Sequence, residues 1–162
     1  MEVQTKTKPA LTVLGIEGRG DADKGPEWIK QLWSKAFTHF DEIRDLVESD
    51  QEAWGLMSAT DEYLAPWKKE GKYLARREVE AGTKPPEGWT IWEVPEQTYA
   101  AIACTMITYG EATKLVVQQF LPKEGYEQAG AMHEFHPGAF QDIEKDTLYL
   151  YFTIKKTHAQ KP

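Results

Sequence analysis

GTKPPEGW, residues 82–89, decides how this chain is divided. Paired prolines between two glycines suit neither a helix interior nor a central strand, so the stretch reads as a linker. It cuts 162 residues almost in half. Outward from it, the same order of elements appears on both sides: strand, helix, strand, strand.

On the N-terminal side, residues 1–8 are polar and read as frayed or as the start of an edge strand. ALTVLGIEG (10–18) has the β-branched and apolar content of a strand, and Gly18, Gly20 and Gly25 mark the loop that ends it. Pro26 and Glu27 suit the first turn of a helix. Trp28, Ile29, Leu32, Trp33, Ala36, Phe37, Phe40, Ile43 and Val47 then recur at spacings of three and four. This predicts one amphipathic helix over 26–48, stopping at Ser49–Asp50, with Trp28, Trp33 and Phe37 as core. AWGLMSAT (53–60) and KYLARREVE (72–80) read as strands.

On the C-terminal side, TIWEVPEQTYAAIACT (90–105) reads as one long strand bent at Pro95. Thr108 and Glu111 have capping-box spacing, and the helix they open, over 109–121, buries Ala112, Leu115, Val116 and Phe120 before Pro122 and Gly125 end it. GAMHEFHP (130–137) and TLYLYFTIKK (147–156) read as two further strands. In the last, Leu148, Leu150, Phe152 and Ile154 alternate with Tyr149, Tyr151, Thr153 and Lys155, which separates an aliphatic face from a tyrosine-bearing one. The expectation is an α+β fold from a duplicated strand–helix–strand–strand unit (9–81 and 90–156). Its two antiparallel sheet halves carry one long helix each, and their remaining faces meet or flank a cleft.

Composition excludes several functions. Lys plus Arg number 19 against 26 Asp plus Glu, a net charge of −7 that does not supply the basic surface of a general nucleic-acid binder. The single cysteine, Cys104, forms no internal disulfide and no Cys-based zinc cluster. The first residues lack the apolar core of a signal peptide, and no stretch approaches the roughly 18 apolar residues of a membrane span. The chain therefore reads as cytoplasmic, with no membrane association. There is no phosphate-binding loop, dinucleotide fingerprint or nucleophile elbow. His133 and His136, three apart on a strand, point to opposite faces and cannot share a metal; His39 and His158 read as solvent residues. No metal and no cofactor is expected.

Strand aromatics and strand carboxylates remain. Trp54, Trp89, Trp92, Tyr99, Phe135, Tyr149 and Tyr151 lie on or beside strands, where aromatics are also ordinary filler. Tyr149 and Tyr151 fit that plain reading less well, since they oppose the aliphatic stripe. Glu78 and Glu134 both read as surface residues unless the fold carries them into an aromatic pocket. There a carboxylate attracts a cation beside ring faces, or exchanges a proton if its pKa is raised.

Pro95, Tyr99 and Ala100, then Leu121, Pro122, Gly125 and Tyr126, then His133, Glu134 and Phe135 resemble the GyrI-like small-molecule-binding superfamily, over roughly residues 9–156. That superfamily includes the effector-binding domains of multidrug-responsive transcription regulators. The resemblance implies a duplicated unit with a central ligand cleft, in which an aromatic pocket takes flat, often cationic molecules with Glu134 as its carboxylate. It implies no direct DNA binding, because no helix-turn-helix module accompanies the domain. Trp54 to Met57, Tyr73 to Ala75 with Glu78 and Val79, and Trp89 with Trp92 resemble a stand-alone branch. Some of its members hydrolyse the cyclopropane ring of DNA-alkylating natural products of the yatakemycin class. Three functions follow: a binder of hydrophobic xenobiotics, a cofactor-free hydrolase of such molecules, or a protein-binding inhibitor of the gyrase type. For the hydrolase, Glu78 and Glu134 are expected to share one cleft as proton donor and water-orienting base. Trp54, Met57, Trp92, Tyr99, Phe135, Tyr149 and Tyr151 are the expected ligand contacts. The residues name no protein partner.

Overall fold

A computed structural model describes residues 1–47, 53–137 and 145–157. The expected helix stop at Ser49–Asp50 and the reading of His158 lie outside them. Eight strands form one antiparallel sheet: β1 Val3–Lys8, β2 Leu11–Asp21, β3 Ala53–Ala59, β4 Glu70–Val79, β5 Thr90–Val94, β6 Gln97–Cys104, β7 Tyr126–His136 and β8 Leu148–Lys156. Their spatial order is β1-β6-β8-β7-β3-β4-β2-β5. Read from the middle outward, the order is symmetric: β3-β4-β2-β5 on one side mirrors β7-β8-β6-β1 on the other. The α+β class and the two helix-bearing sheet units are therefore present, but the units run into one another. They meet where β3 pairs with β7, at Ala53↔His136, Trp54↔Phe135 and Gly55↔Glu134.

The stretch 90–105 departs from the expectation of one bent strand. Pro95 and Glu96 separate two strands: β5 pairs with β2 of the first unit, and β6 with β1 and β8. Proline lacks the N–H that a continuous ladder needs, so the strand breaks there rather than bending. Pro9 and Ala10 do the same between β1 and β2. Each unit thus takes its outer strand from the other half. These two-residue connections also fix the shape. Three residue steps span at most about 10 Å, yet they join strands near opposite ends of the order. The sheet must curl until its ends come close, and Lys8, Leu11, Val94, Trp54 and Tyr99 accordingly line one hollow on its concave face.

Both helices cover the other face. α1, Gly25–His39, buries Leu32, Trp33 and Ala36, and a 3-10 turn, Phe40–Ile43, takes the place of its expected last turns. The second helical stretch comprises α2 (Tyr109–Lys114), a π-helical turn (Leu115–Phe120) and α3 (Leu121–Glu124), closed by Gly125 at φ 76°. Its Ala112, Val116 and Leu121 pack on Leu148, Leu150, Phe152 and Ile154, so the aliphatic stripe of β8 lies under a helix as its alternation requires. The capping box does not form. Thr108 Oγ1 instead accepts from the Thr105 backbone N–H at 2.9 Å, because a tight turn over 105–108 directs its hydroxyl backward.

Candidate functional site

The helix-side face of the β3–β7 seam carries a cleft of about 630 Å³ between α1 and the start of α2. Strand parity decides what reaches it. Gly55 pairs with both Glu134 and Ala75, so Glu134 shares a face with Gly55, Met57, Tyr73 and Ala75. Glu134 is 8% exposed. Tyr73 donates to its Oε1 at 2.7 Å and Tyr109 to its Oε2 at 2.6 Å, while His136 Nε2 lies 3.8 Å from Oε1. Trp33 Nε1–H donates in turn to the Tyr73 hydroxyl at 2.9 Å, fixing its orientation. Around this group the walls are apolar: Ile29 and Trp33 from α1, Trp67 and Met106 from loops, and Met57 and Met132 from the floor. The exposed Lys30 is the cation among the lining residues.

Burial by itself pushes the Glu134 pKa up. The neighbouring His136 and the hydrogen bonds from Tyr109 and Tyr73 outweigh that, holding it below the ordinary value of 4.5. The same burial, with the carboxylate alongside, raises both phenols well above 10. The site is therefore an ionised carboxylate, held by two neutral phenols beside His136, in a largely apolar cleft. A carboxylate so placed attracts a cation, and the rings beside it add cation–π attraction. Three methionines give the walls adaptable packing.

Of the residues singled out in the sequence, Glu134 and Met57 line this cleft. Trp54, Glu78, Tyr99, Phe135 and Tyr151 line a hollow of about 300 Å³ on the opposite face, and Tyr149 an adjoining one. Trp92 lines neither described cavity. It packs with Val13, Leu56 and Leu74, and its Nε1–H donates to Glu17 at 2.9 Å. The expectation that Glu78 and Glu134 share one cleft is thus corrected. Trp54 pairs with Arg76, and Glu78 follows the even-numbered residues of β4 onto the Trp54 face, away from Glu134. Tyr149 and Tyr151 do oppose the helices, and Tyr151 meets Trp54 across the seam at 4.9 Å, but on the face away from Glu134.

Sequence reading missed Tyr73, Tyr109, Trp33 and His136 as members of the site. Tyr73 gave a signal only in retrospect, since it shares strand parity with Glu134 once β4, β3 and β7 are in register. Tyr109 was hidden inside the capping-box pattern. Among the described residues no helix is long and apolar enough to cross a membrane, and no group of three or more His, Cys, Asp or Glu is placed to hold a metal.

Solved structures share this fold. SAV2435 bound to tetraphenylphosphonium superimposes with a TM-score of 0.67 at 12% identity, over 96% of this chain and 94% of that one. The C-terminal domain of EcmrR matches with a TM-score of 0.70 at 14% identity, over 96% and 98%. A hydrolase encoded by lin2189 from Listeria innocua matches with a TM-score of 0.54 at 11% identity, over 95% and 92%. At such identities the likeness speaks for the fold. Comparison with curated proteins gives no match. The family model for the GyrI-like small molecule binding domain spans residues 1–155, so this chain belongs to the GyrI-like family.

Proposed function

We propose that this protein binds hydrophobic aromatic cations in the helix-side cleft, with Glu134 as their counter-charge, and that it sequesters xenobiotics of that kind. One observation carries the reading: the Glu134 carboxylate is kept ionised by His136, Tyr109 and Tyr73 inside walls that are largely apolar. Keeping a charge out of water is costly unless it is compensated, and the neighbouring His136 with two phenols compensates it only in part. A bound cation completes the compensation. Membership of a small-molecule-binding family and a fold neighbour that holds tetraphenylphosphonium support the same chemistry.

The hydrolase reading has one fold neighbour described as a hydrolase behind it. Cyclopropane opening by two carboxyl groups asks for a second one in the cleft, and Glu134 is the carboxylate among its described lining residues. Binding is therefore favoured. Tryptophan fluorescence titration with tetraphenylphosphonium, paired with product analysis after incubation with a cyclopropane-bearing alkylator, tests both. Saturable quenching with the alkylator recovered intact supports the binder. Ring-opened product from wild type, lost in Glu134→Gln, would replace it with the hydrolase.

A further inference from the structure

The concave face of the sheet carries a second candidate site, separate from the Glu134 cleft. Two adjoining hollows, of about 300 and 580 Å³, share Lys6, Phe135 and Tyr151. Their walls are aromatic across the seam: Trp54 stacks on Phe135 at 4.6 Å and meets Tyr151 at 4.9 Å, and Tyr99 contacts Tyr151 edge-on at 5.5 Å. The smaller hollow has a basic excess, opposite in sign to the Glu134 carboxylate of the helix-side cleft, while the larger adds Glu2 beside Lys6. Lys6, Lys8 and Arg76 line the smaller hollow against one carboxylate, Glu78. Lys8 Nζ sits 5.3 Å from the Trp54 and Tyr151 ring centroids, and the Arg76 guanidinium 4.9 Å from that of Trp54. Cations are thus already positioned over the ring faces.

His133 gives this surface a specific handle. It is 1% exposed and lines the smaller hollow. Its Nδ1 accepts the Met57 backbone N–H at 3.1 Å. Desolvation, reinforced by Arg76, holds its pKa down to about 3, so the ring is neutral and Nε2 bears the proton. That buried Nε2–H has no acceptor among the described residues. Unsatisfied buried donors are rare and costly, and at a cavity wall they mark where an acceptor fits.

We infer that the concave face binds a planar aromatic anion, its ring packed against the contiguous cluster of Trp54, Phe135 and Tyr151 and its carboxylate or comparable acceptor among Lys6, Lys8 and His133 Nε2–H. A small ligand suits the site better than a protein surface, because His133 lines the wall of a hollow that a flat surface cannot enter. The volumes match an aromatic of one to three rings. This site is independent of the Glu134 cleft and selects the opposite charge.

The test uses the full chain and 2-naphthoate, with neutral 2-naphthamide as the control and tetraphenylphosphonium measured in parallel. Calorimetry should show saturable naphthoate binding, at least about tenfold tighter than naphthamide, since only the anion gains charge-assisted hydrogen bonds there. Saturating tetraphenylphosphonium should leave it in place, as should Glu134→Gln. Lys6→Gln with Lys8→Gln lies on the edge strand β1, away from the buried core, and should weaken naphthoate at least about fivefold without altering phosphonium binding. His133→Leu should weaken it comparably, and where that variant fails to fold, the lysine pair alone decides. Equal binding of naphthoate and naphthamide, competition with tetraphenylphosphonium, or no response to the lysine substitutions would overturn the inference. So would a concentration-dependent dimer in sedimentation that excludes naphthoate, since a second copy would then own the face.

Discussion

The phenol of Tyr73 occupies the space that a side chain on Gly55 would fill: a Cβ there would lie 1.6 Å from Tyr73 Oη and 2.1 Å from its Cζ. Gly55 is the partner of Glu134 across the seam between the two sheet units. The absence of a side chain at Gly55 is therefore what lets the ring from β4 cross over β3 and reach a carboxylate on β7. The duplicated architecture makes this necessary, because the site's acceptor and one of its two phenols come from different halves of the chain.

Gly55→Ala should displace Tyr73, break its hydrogen bond to Glu134 and lower stability by about 1–3 kcal/mol, the usual cost of overpacking. Tyr73→Ala should also destabilise, through the cavity it leaves. Combined, the two should cost clearly less than their sum, since removing the ring removes the clash. Thermal or urea unfolding of the four proteins checks this. Strict additivity would mean that Gly55 and Tyr73 do not compete for one space.

Cation binding should keep its strength on acidification further than an ordinary glutamate allows. The Glu134 carboxyl is held below 4.5 in the folded protein, so the anion, and any stability it contributes, is present above that value. The stability is lost as pH falls from 4.5 toward the lower folded value, and the anion itself fades as pH falls through that value. The affinity for tetraphenylphosphonium, whose charge does not titrate, is measured from neutral pH downward. The series is repeated in His136→Asn, so that the adjacent imidazole does not enter; Tyr73 and Tyr109 are hydrogen-bonded to the carboxylate, and His133 and Cys104 interact with it electrostatically. Tyr109→Phe removes one stabilising donor and should move the loss of binding to higher pH. Loss of affinity in wild type well above pH 4.5 would contradict the hydrogen-bonded anion.

His133 should impose its own acid sensitivity on the fold. Its pKa falls from the ordinary 6.5 to about 3 on folding, so between those values the unfolded chain binds more protons than the native one. The stability associated with this residue is complete above pH 6.5 and is lost as pH falls toward 3. The slope approaches about 1.4 kcal/mol per pH unit for one proton. Comparison of wild type with His133→Gln between pH 6.5 and about 5 separates this from Glu134, which acts lower. Parallel pH profiles for the two proteins would remove His133 as the cause.

The aliphatic stripe of β8 offers a check on the packing itself. Leu150 is fully buried beneath the second helical stretch. Leu150→Ala should cost about 2–5 kcal/mol in denaturant unfolding, whereas Tyr149→Ala, on the half-buried opposite face, should cost less. The reverse ranking would mean that the face assignment of β8 is inverted.

Much of the fold was legible because its signals are local. The period of two in 147–156 separated the faces of β8 correctly, and the spacing from Trp28 onward located α1. What escaped was the long-range pairing. No local signal says that Thr90–Val94 joins the first unit and Val3–Lys8 the second, and Pro95 can be read as a bend or as a break. The same limit governs the site. Glu134 could be singled out as a carboxylate among strand aromatics, but whether it joined Glu78 depended on how β4 registers with β3 and β3 with β7. In that register Glu134 falls opposite Ala75's neighbour Gly55, so the even-numbered Glu78 turns to the other face. Tyr73 and Tyr109 entered the site through the same register and through the turn before α2, neither of which a single strand's pattern contains.

The central claim is that the Glu134 charge, rather than the apolar walls alone, selects the ligand. Calorimetric titration of wild type and Glu134→Gln with tetraphenylphosphonium and with neutral triphenylphosphine oxide measures it directly. Wild type should prefer the cation, and Glu134→Gln should lose about ten- to a hundredfold in cation affinity, as removal of one charged partner worth about 1.5–3 kcal/mol requires, while its affinity for the neutral oxide stays the same. Equal loss for both ligands, or no loss for the cation, would show that the carboxylate does not provide the counter-charge.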